Sequence, residues 1–289
     1  MSQDEARASG GFDFYGPQYA RFAGELAAEI RREVYGEDIG QQGWRTAAEQ
    51  AEIADLLGVG PDSRVLDIAC GAGGPSLALV ERTGCQLTGL DTEAAGIAHA
   101  EAQASARGLS GRASFAVLDC GGRLPFEDGS FDAVLCVDAI NHLPERFATL
   151  SEWARLLRDG GRLLFTDAAV VTGPVAKSEL DVRASAGFFV VVPPALNEKA
   201  IEAAGLTPLR CEDRTSATAD IAKRWHAARL RRADVLQDEE GADWFGQRQR
   251  FLAMTAELAG SGRLSRFLYL AEKRPGPASV SSGSAGPGR

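Results

Sequence analysis

From residue 64 onward, short apolar or β-branched runs alternate with stretches of helical period. The runs at 64–68, 86–90, 113–118, 131–137 and 161–166 read as strands. Helices fall between them. The first follows Gly74-Pro75-Ser76, where proline suits the opening turn, and the next spans 93–107 and stops at Gly108. A third spans 145–157, ahead of an Asp159-Gly160-Gly161 turn that launches the fifth strand. Strands alternating with helices predict a doubly wound, mostly parallel α/β sheet with helices on both faces. After Asp167 the pattern loosens. Strands at 207–212 and 266–271 bring the sheet to seven, the last returning after a long helical stretch at 218–259. Ahead of the core, 18–35 and 45–57 read as helices joined by a glycine-bounded loop at 36–44, an N-terminal lid. The expected organisation is N-terminal helices and lid over 1–57, then a core over 58–274. That core carries cap segments at about 168–200 and 216–262, and a Ser/Gly/Pro-rich disordered tail follows at 275–289.

At 289 residues the chain is long for one domain and short for two, which agrees with one core plus a cap. Its hydrophobic fraction of 45% and charged fraction of 25% are ordinary for a globular protein. The longest apolar runs, such as 188–195, are too short to cross a bilayer, and the polar stretch 1–11 does not read as a secretion signal. A cytoplasmic location and no membrane partner follow as expectations. Five cysteines, with no C-x-x-C pair and no histidine at ligand spacing, read as reduced thiols rather than a metal site. The net charge of −9 repels phosphate backbones, and the basic cluster at 224–232 lies on a predicted helix, so nucleic acid is not an expected partner. Oligomeric state is not legible.

The chemistry concentrates at 65–75, a strand running into Gly71 and Gly73 and then a helix. Such a turn lets a ligand approach the backbone and the free N–H groups of a helix start. Alone it fits a dinucleotide as well, with Asp91 at the end of the second strand taking ribose hydroxyls, which keeps an NAD-dependent oxidoreductase in play. Two carboxylates argue otherwise. Asp67 ends the first strand, where it would repel a pyrophosphate but suit the ammonium and sulfonium of S-adenosylmethionine. Asp119, followed by Cys120, ends the third, where it can accept from an adenine amino group. Each aspartate alone reads as a turn or cap residue; three on successive strand ends favour a ligand edge.

Taken with Leu124-Pro125-Phe126, Gly129, Phe131-Asp132 and Leu156-Leu157-Arg158 before Gly160-Gly161, these motifs resemble the class I S-adenosylmethionine-dependent methyltransferases over about 35–167. The stretch 137–143, with Tyr35-Gly36-Glu37, is similar to phosphoethanolamine and related small-amine N-methyltransferases. The resemblance implies a Rossmann-like fold, S-adenosylmethionine as cofactor and a small-molecule methyl acceptor. The implied cofactor set is Asp67, Ala69, Gly71, Gly73, Asp91, Thr92, Asp119, Cys120, Gln42 and Trp44, with Gln41 nearby. His142 would be the active-site histidine, paired with Tyr15 or Tyr19, and Asp138 would border cofactor and substrate, holding a cationic amine or orienting His142. The phosphobase enzymes hold phosphate with tyrosines, an arginine and a lysine after the fifth strand. Here 183–193 is rich in Phe and Val, and Arg183 is its single candidate for holding an anion. The expected acceptor is therefore apolar or aromatic, uncharged or cationic, bounded by Asp138, Asn141, Asp167, Arg183 and Phe188, and methylated on N, O or a ring carbon. A catalytically silent binding protein is the other reading. The plainer alternative for His142 is a helix-start residue bonded to backbone, and His99 and His226 read as structural.

Overall fold

A computed structural model describes residues 15–275, so the stretch 1–14 and almost all of the expected tail lie outside the described residues. Seven strands form one sheet in the order β3-β2-β1-β4-β5-β7-β6. They are β1 Arg64–Ile68, β2 Gln86–Asp91, β3 Ala113–Val117, β4 Phe131–Cys136, β5 Leu157–Val171, β6 Leu206–Asp213 and β7 Leu264–Lys273. Strands β1 to β5 pair in parallel; β7 runs antiparallel to both β5 and β6.

Alternation along each strand divides the core in two, because successive side chains leave opposite faces. Leu66, Val134, Leu163 and Tyr269 face one side, against α6 (Arg146–Leu156) and α8 (Leu196–Ala203). Their neighbours Val65, Leu135, Leu164 and Leu270 face the other, against α3 (Ala47–Leu57), α4 (Gly74–Thr83) and α5 (Ala94–Ala106). A third apolar cluster joins α2 (Glu25–Tyr35) and Trp44 to α9 (Thr215–Leu230), α10 (Ala233–Glu240) and α11 (Ala242–Gly260). It forms a helical roof. No described helix is long and apolar enough to cross a membrane.

Three element boundaries differ from the sequence expectation. The single helix expected at 18–35 is broken into α1 (Gly16–Ala20) and α2, whose extended N-cap is Gly24. The long stretch at 218–259 is three helices, with Gly241 at φ 85° between the last two. Finally, β5 continues past Asp167 to Val171, because β7 pairs with it as far as Leu264. The stretch between β5 and α8 is correspondingly shorter than the cap expected at 168–200, holding α7 (Lys177–Arg183) and a 3-10 turn at Ala184–Ala186. Helix α8 belongs to the core, through Ala200 and Ile201.

Candidate active site

The strand ends converge on one cavity of about 960 Å³. Its floor is the carboxyl edge of the sheet: Ala69 and Gly71 after β1, Asp91 ending β2 and Thr92 following it, Asp119 and Cys120 after β3, Asp138 after β4. Its walls are the 40–44 loop with Gln41, Gln42 and Trp44, then Tyr15, Tyr19, Asn141, His142, Arg183 and Phe188. Asp91 is fixed by two backbone donors, the N–H of Gly71 to Oδ2 at 2.8 Å and that of Glu93 to Oδ1 at 2.9 Å. Backbone donation of this kind orients a carboxylate for ligand hydroxyls. Asp119 Oδ1 accepts from the Gly121 N–H at 2.9 Å.

Three expected site residues stand apart from the cavity wall. Asp67 is buried behind the first turn of α4, where its Oδ2 accepts from the Ser76 hydroxyl at 2.6 Å. Burial pushes its carboxyl up to about 6, against the opposing charge of Arg45 and the Ser76 bond. Gly73 serves packing: a Cβ there would lie 2.5 Å from the Ala100 Cβ of α5. Asp167, expected beside the substrate, is fully buried. It pairs with Arg146 at 3.0 Å and accepts from the Asn197 amide, tying α6 and α8 to the sheet.

His142 ends a 3-10 turn at Ile140–His142, and both ring nitrogens are engaged. Nδ1 lies 2.7 Å from the Phe188 carbonyl oxygen, which only accepts, so Nδ1 carries the proton. Nε2 is then the lone-pair nitrogen, and it accepts from the Tyr15 hydroxyl at 3.0 Å. Tyr15 rather than Tyr19 is thus the histidine's partner; the Tyr19 hydroxyl instead overlies Gly71. Burial pulls the imidazole down to about 4, the Phe188 carbonyl opposing and the Arg183 charge adding to the effect. Burial likewise pushes Tyr15 up to about 12, against the nearby charges of Arg248 and Arg183.

Asp138 adopts the left-handed region at φ 59°, and its carboxylate is committed within the protein. Oδ1 accepts from Arg266 Nε at 2.5 Å and from the Thr166 hydroxyl at 2.8 Å, and Oδ2 from the Trp44 N–H at 2.7 Å. Burial raises its pKa, but the Arg266 charge and these donors outweigh that and hold it below the usual carboxylate range. It neither orients His142 nor offers a free oxygen to a cationic amine, contrary to the sequence expectation.

Arg183 is the reverse case. It is buried, with 3% of its surface exposed, yet among the described residues no carboxylate pairs with it. Its guanidinium lies over the rings of Phe189 and Phe251, at 4.7 and 4.8 Å, with Trp44 at 5.8 Å. Burial pulls it down to about 10, so it stays charged at neutral pH.

A family model described as a methyltransferase domain matches residues 65–161. The chain is 27% identical over 246 residues to the 27-O-demethylrifamycin SV methyltransferase of Amycolatopsis mediterranei (strain S699), covering 80% of this chain and 89% of that one. It is 32% identical over 201 residues to a sterol 24-C-methyltransferase of Gibberella zeae, covering 68% of this chain and 52% of that one, about half the relative's length. Its fold matches phosphoethanolamine N-methyltransferase 2 of Haemonchus contortus at a TM-score of 0.74 and 18% identity, covering 91% of this chain and 61% of that one. The chain is a class I S-adenosylmethionine-dependent methyltransferase. Its methyl donor is S-adenosylmethionine, and the NAD-dependent reading falls.

Two parts of the methyltransferase's site escaped the sequence reading. Arg248 of α11 lines the cavity and stacks over Trp225 at 4.7 Å, but in sequence it is one basic residue among several on a long helix. Arg266 left a usable signal, a lone charge in the otherwise apolar run Phe267-Leu268-Tyr269-Leu270-Ala271 and its flank, where a buried charge demands a partner.

Proposed function

We propose that this methyltransferase methylates nitrogen, oxygen or a nucleophilic ring carbon of a small metabolite that has an apolar or aromatic body and an acidic group. The observation that carries this reading is the meeting, in one cavity, of the Tyr15-His142 pair with a buried guanidinium that no acid among the described residues pairs with. At about 960 Å³ the cavity is at the upper end for ligand sites, which suits cofactor and acceptor together.

The residues at the strand ends fit the cofactor. Asp91 would take the ribose hydroxyls, and Asp119 with Cys120 would border the adenine. Ala69, Gly71, Thr92, Gln41, Gln42 and Trp44 would complete the enclosure. When bound, S-adenosylmethionine supplies an electrophilic methyl group on a sulfonium centre. Walls that align the acceptor with it and keep water out account for much of the acceleration, on the order of 7–11 kcal/mol for well-oriented reactants.

The remaining chemistry is a proton. An acceptor N–H or O–H gives its proton to the Tyr15 oxygen while Tyr15 passes its own to His142 Nε2. This leaves a neutral tyrosine and an imidazolium whose Nδ1–H stays bonded to the Phe188 carbonyl. Relatives named for transfer to oxygen, carbon and nitrogen leave the acceptor atom to the local pocket rather than the fold.

Burying a guanidinium against aromatic rings without a carboxylate is costly, and an acceptor carboxylate meeting Arg183 from the cavity would relieve that cost. Labelled cofactor, tested against aromatic acids and their primary amides, separates the possibilities. Acids should be methylated in preference, and Arg183→Gln should raise KM for them by about tenfold to a hundredfold, with little effect on amides. Equal use of acids and amides would remove the acidic group from the proposal. No methylation across the panel, despite cofactor binding, would favour a silent binding protein.

A further inference from the structure

We propose that Glu49, Arg266 and Asp138 form a buried latch that holds the 40–44 loop closed over the cofactor, making Arg266 and Asp138 positioning residues for the methyl donor. Arg266 lies on β7, 1% exposed, and bridges two carboxylates from different layers. Its Nε meets Asp138 after β4, and its Nη1 donates to Glu49 Oε2 of α3 at 3.1 Å. The Thr166 hydroxyl of β5 also donates to Asp138. Asp138 Oδ1 is thereby held by donors of the sheet, and Oδ2, which Arg266 Nη2 also reaches at 3.4 Å, takes its shorter bond from the loop, the Trp44 N–H at 2.7 Å.

The loop reaches that oxygen only because of its glycine. A Cβ at Gly43 would lie 2.6 Å from Asp138 Oδ2, closer than real side chains come. At its other end, a Cβ at Gly40 would lie 3.1 Å from the Cα of Gly74, on the first turn of α4. The loop thus spans from the glycine-rich turn after β1 to the strand end after β4, and Gln41, Gln42 and Trp44 on it line the cavity. Cofactor entry and product release require this span to lift, and lifting it breaks a hydrogen bond to an ionised, prealigned carboxylate. The charge network sets how firmly the loop is held. The Tyr15-His142 pair, on a different wall of the cavity, carries no part of this.

The test measures S-adenosylhomocysteine release by stopped flow, with wild-type affinity from calorimetry as reference; absence of wild-type binding would sink the cofactor reading itself rather than the latch. Asp138→Asn sets an amide against donors and should speed release by about tenfold to a hundredfold. Gly43→Ala leaves all three charged groups in place but pushes the loop away. It should reproduce the faster release while unfolding at the wild-type denaturant concentration. KM for the donor should rise in both variants more than the single-turnover methylation rate falls. If Gly43→Ala releases product at the wild-type rate, or if Asp138→Asn changes only unfolding, the network is merely structural and the proposal fails.

Discussion

Replacing His142 with alanine is expected to lower turnover by roughly two to four orders of magnitude for an acceptor that must lose a proton, with S-adenosylhomocysteine affinity unchanged. The acceptor's proton then has no destination, because Tyr15, pushed up to about 12 by burial, cannot be deprotonated near neutrality without the Nε2 lone pair. Tyr15→Phe should share most of the loss. The pH profile supplies a signature. His142 must be neutral to accept, and burial pulls it down to about 4, so protonation removes the base only as pH falls through that value. The acid limb of kcat/KM should therefore lie near pH 4, with a plateau through neutrality, in place of the limb near 6.5 expected of a solvated imidazole. Unchanged turnover in the alanine variant with an N–H or O–H acceptor would refute the assignment.

Removing the Arg266 guanidinium is expected to cost more in stability than any other single change at the site. Arg266→Met keeps the length of the side chain and leaves Asp138 and Glu49 buried without their cation, a situation that costs about 3–5 kcal/mol. For a chain of this size the melting temperature should fall by on the order of 10 °C. The sign with pH is fixed by the orphaned acids. Burial already raises the pKa of Glu49 against the opposing Arg266 charge, so losing that charge raises it further. The gap between variant and wild type should then narrow as pH falls and the carboxyls take up protons. Urea unfolding at pH 7 and pH 5 measures this; a gap that is constant or widens toward acid would show that the charges are not the cause.

The strands and their ligand edge were legible because each local signal agreed with the global fold. Apolar alternation marked β1 to β4 to within a residue or two, and the acids at 91 and 119 fell at strand ends where a chain-wide pattern predicted them. What was illegible depended on distance along the chain. Asp67 sits at the expected strand end, but Ser76, nine residues on, turns it away from the cavity. Asp167 looks like another strand-end ligand until β7 prolongs β5 beyond it and Arg146 claims its charge. Asp138 presented as a free carboxylate because its cation is 128 residues downstream. The choice between Tyr15 and Tyr19 needed the path of α1, which no periodicity over so short a helix specifies.

Trp44 stacks on Phe251 at 6.2 Å and meets Trp225 edge-on at 6.4 Å, while Tyr35 of α2 meets the same Trp225. A loop anchored by indole into a helical bundle cannot flap alone. When it lifts, α2, α9 and α11 are drawn with it, or an aromatic cluster is exposed to water, which hydrophobic burial opposes. Under the proposed latch, the gate is expected to be a rigid body of helices with the loop as its rim, on the microsecond-to-millisecond scale of collective motions. Backbone amides in α2 and α9, far apart in sequence, should then lose protection against hydrogen exchange together, as one cooperative unit.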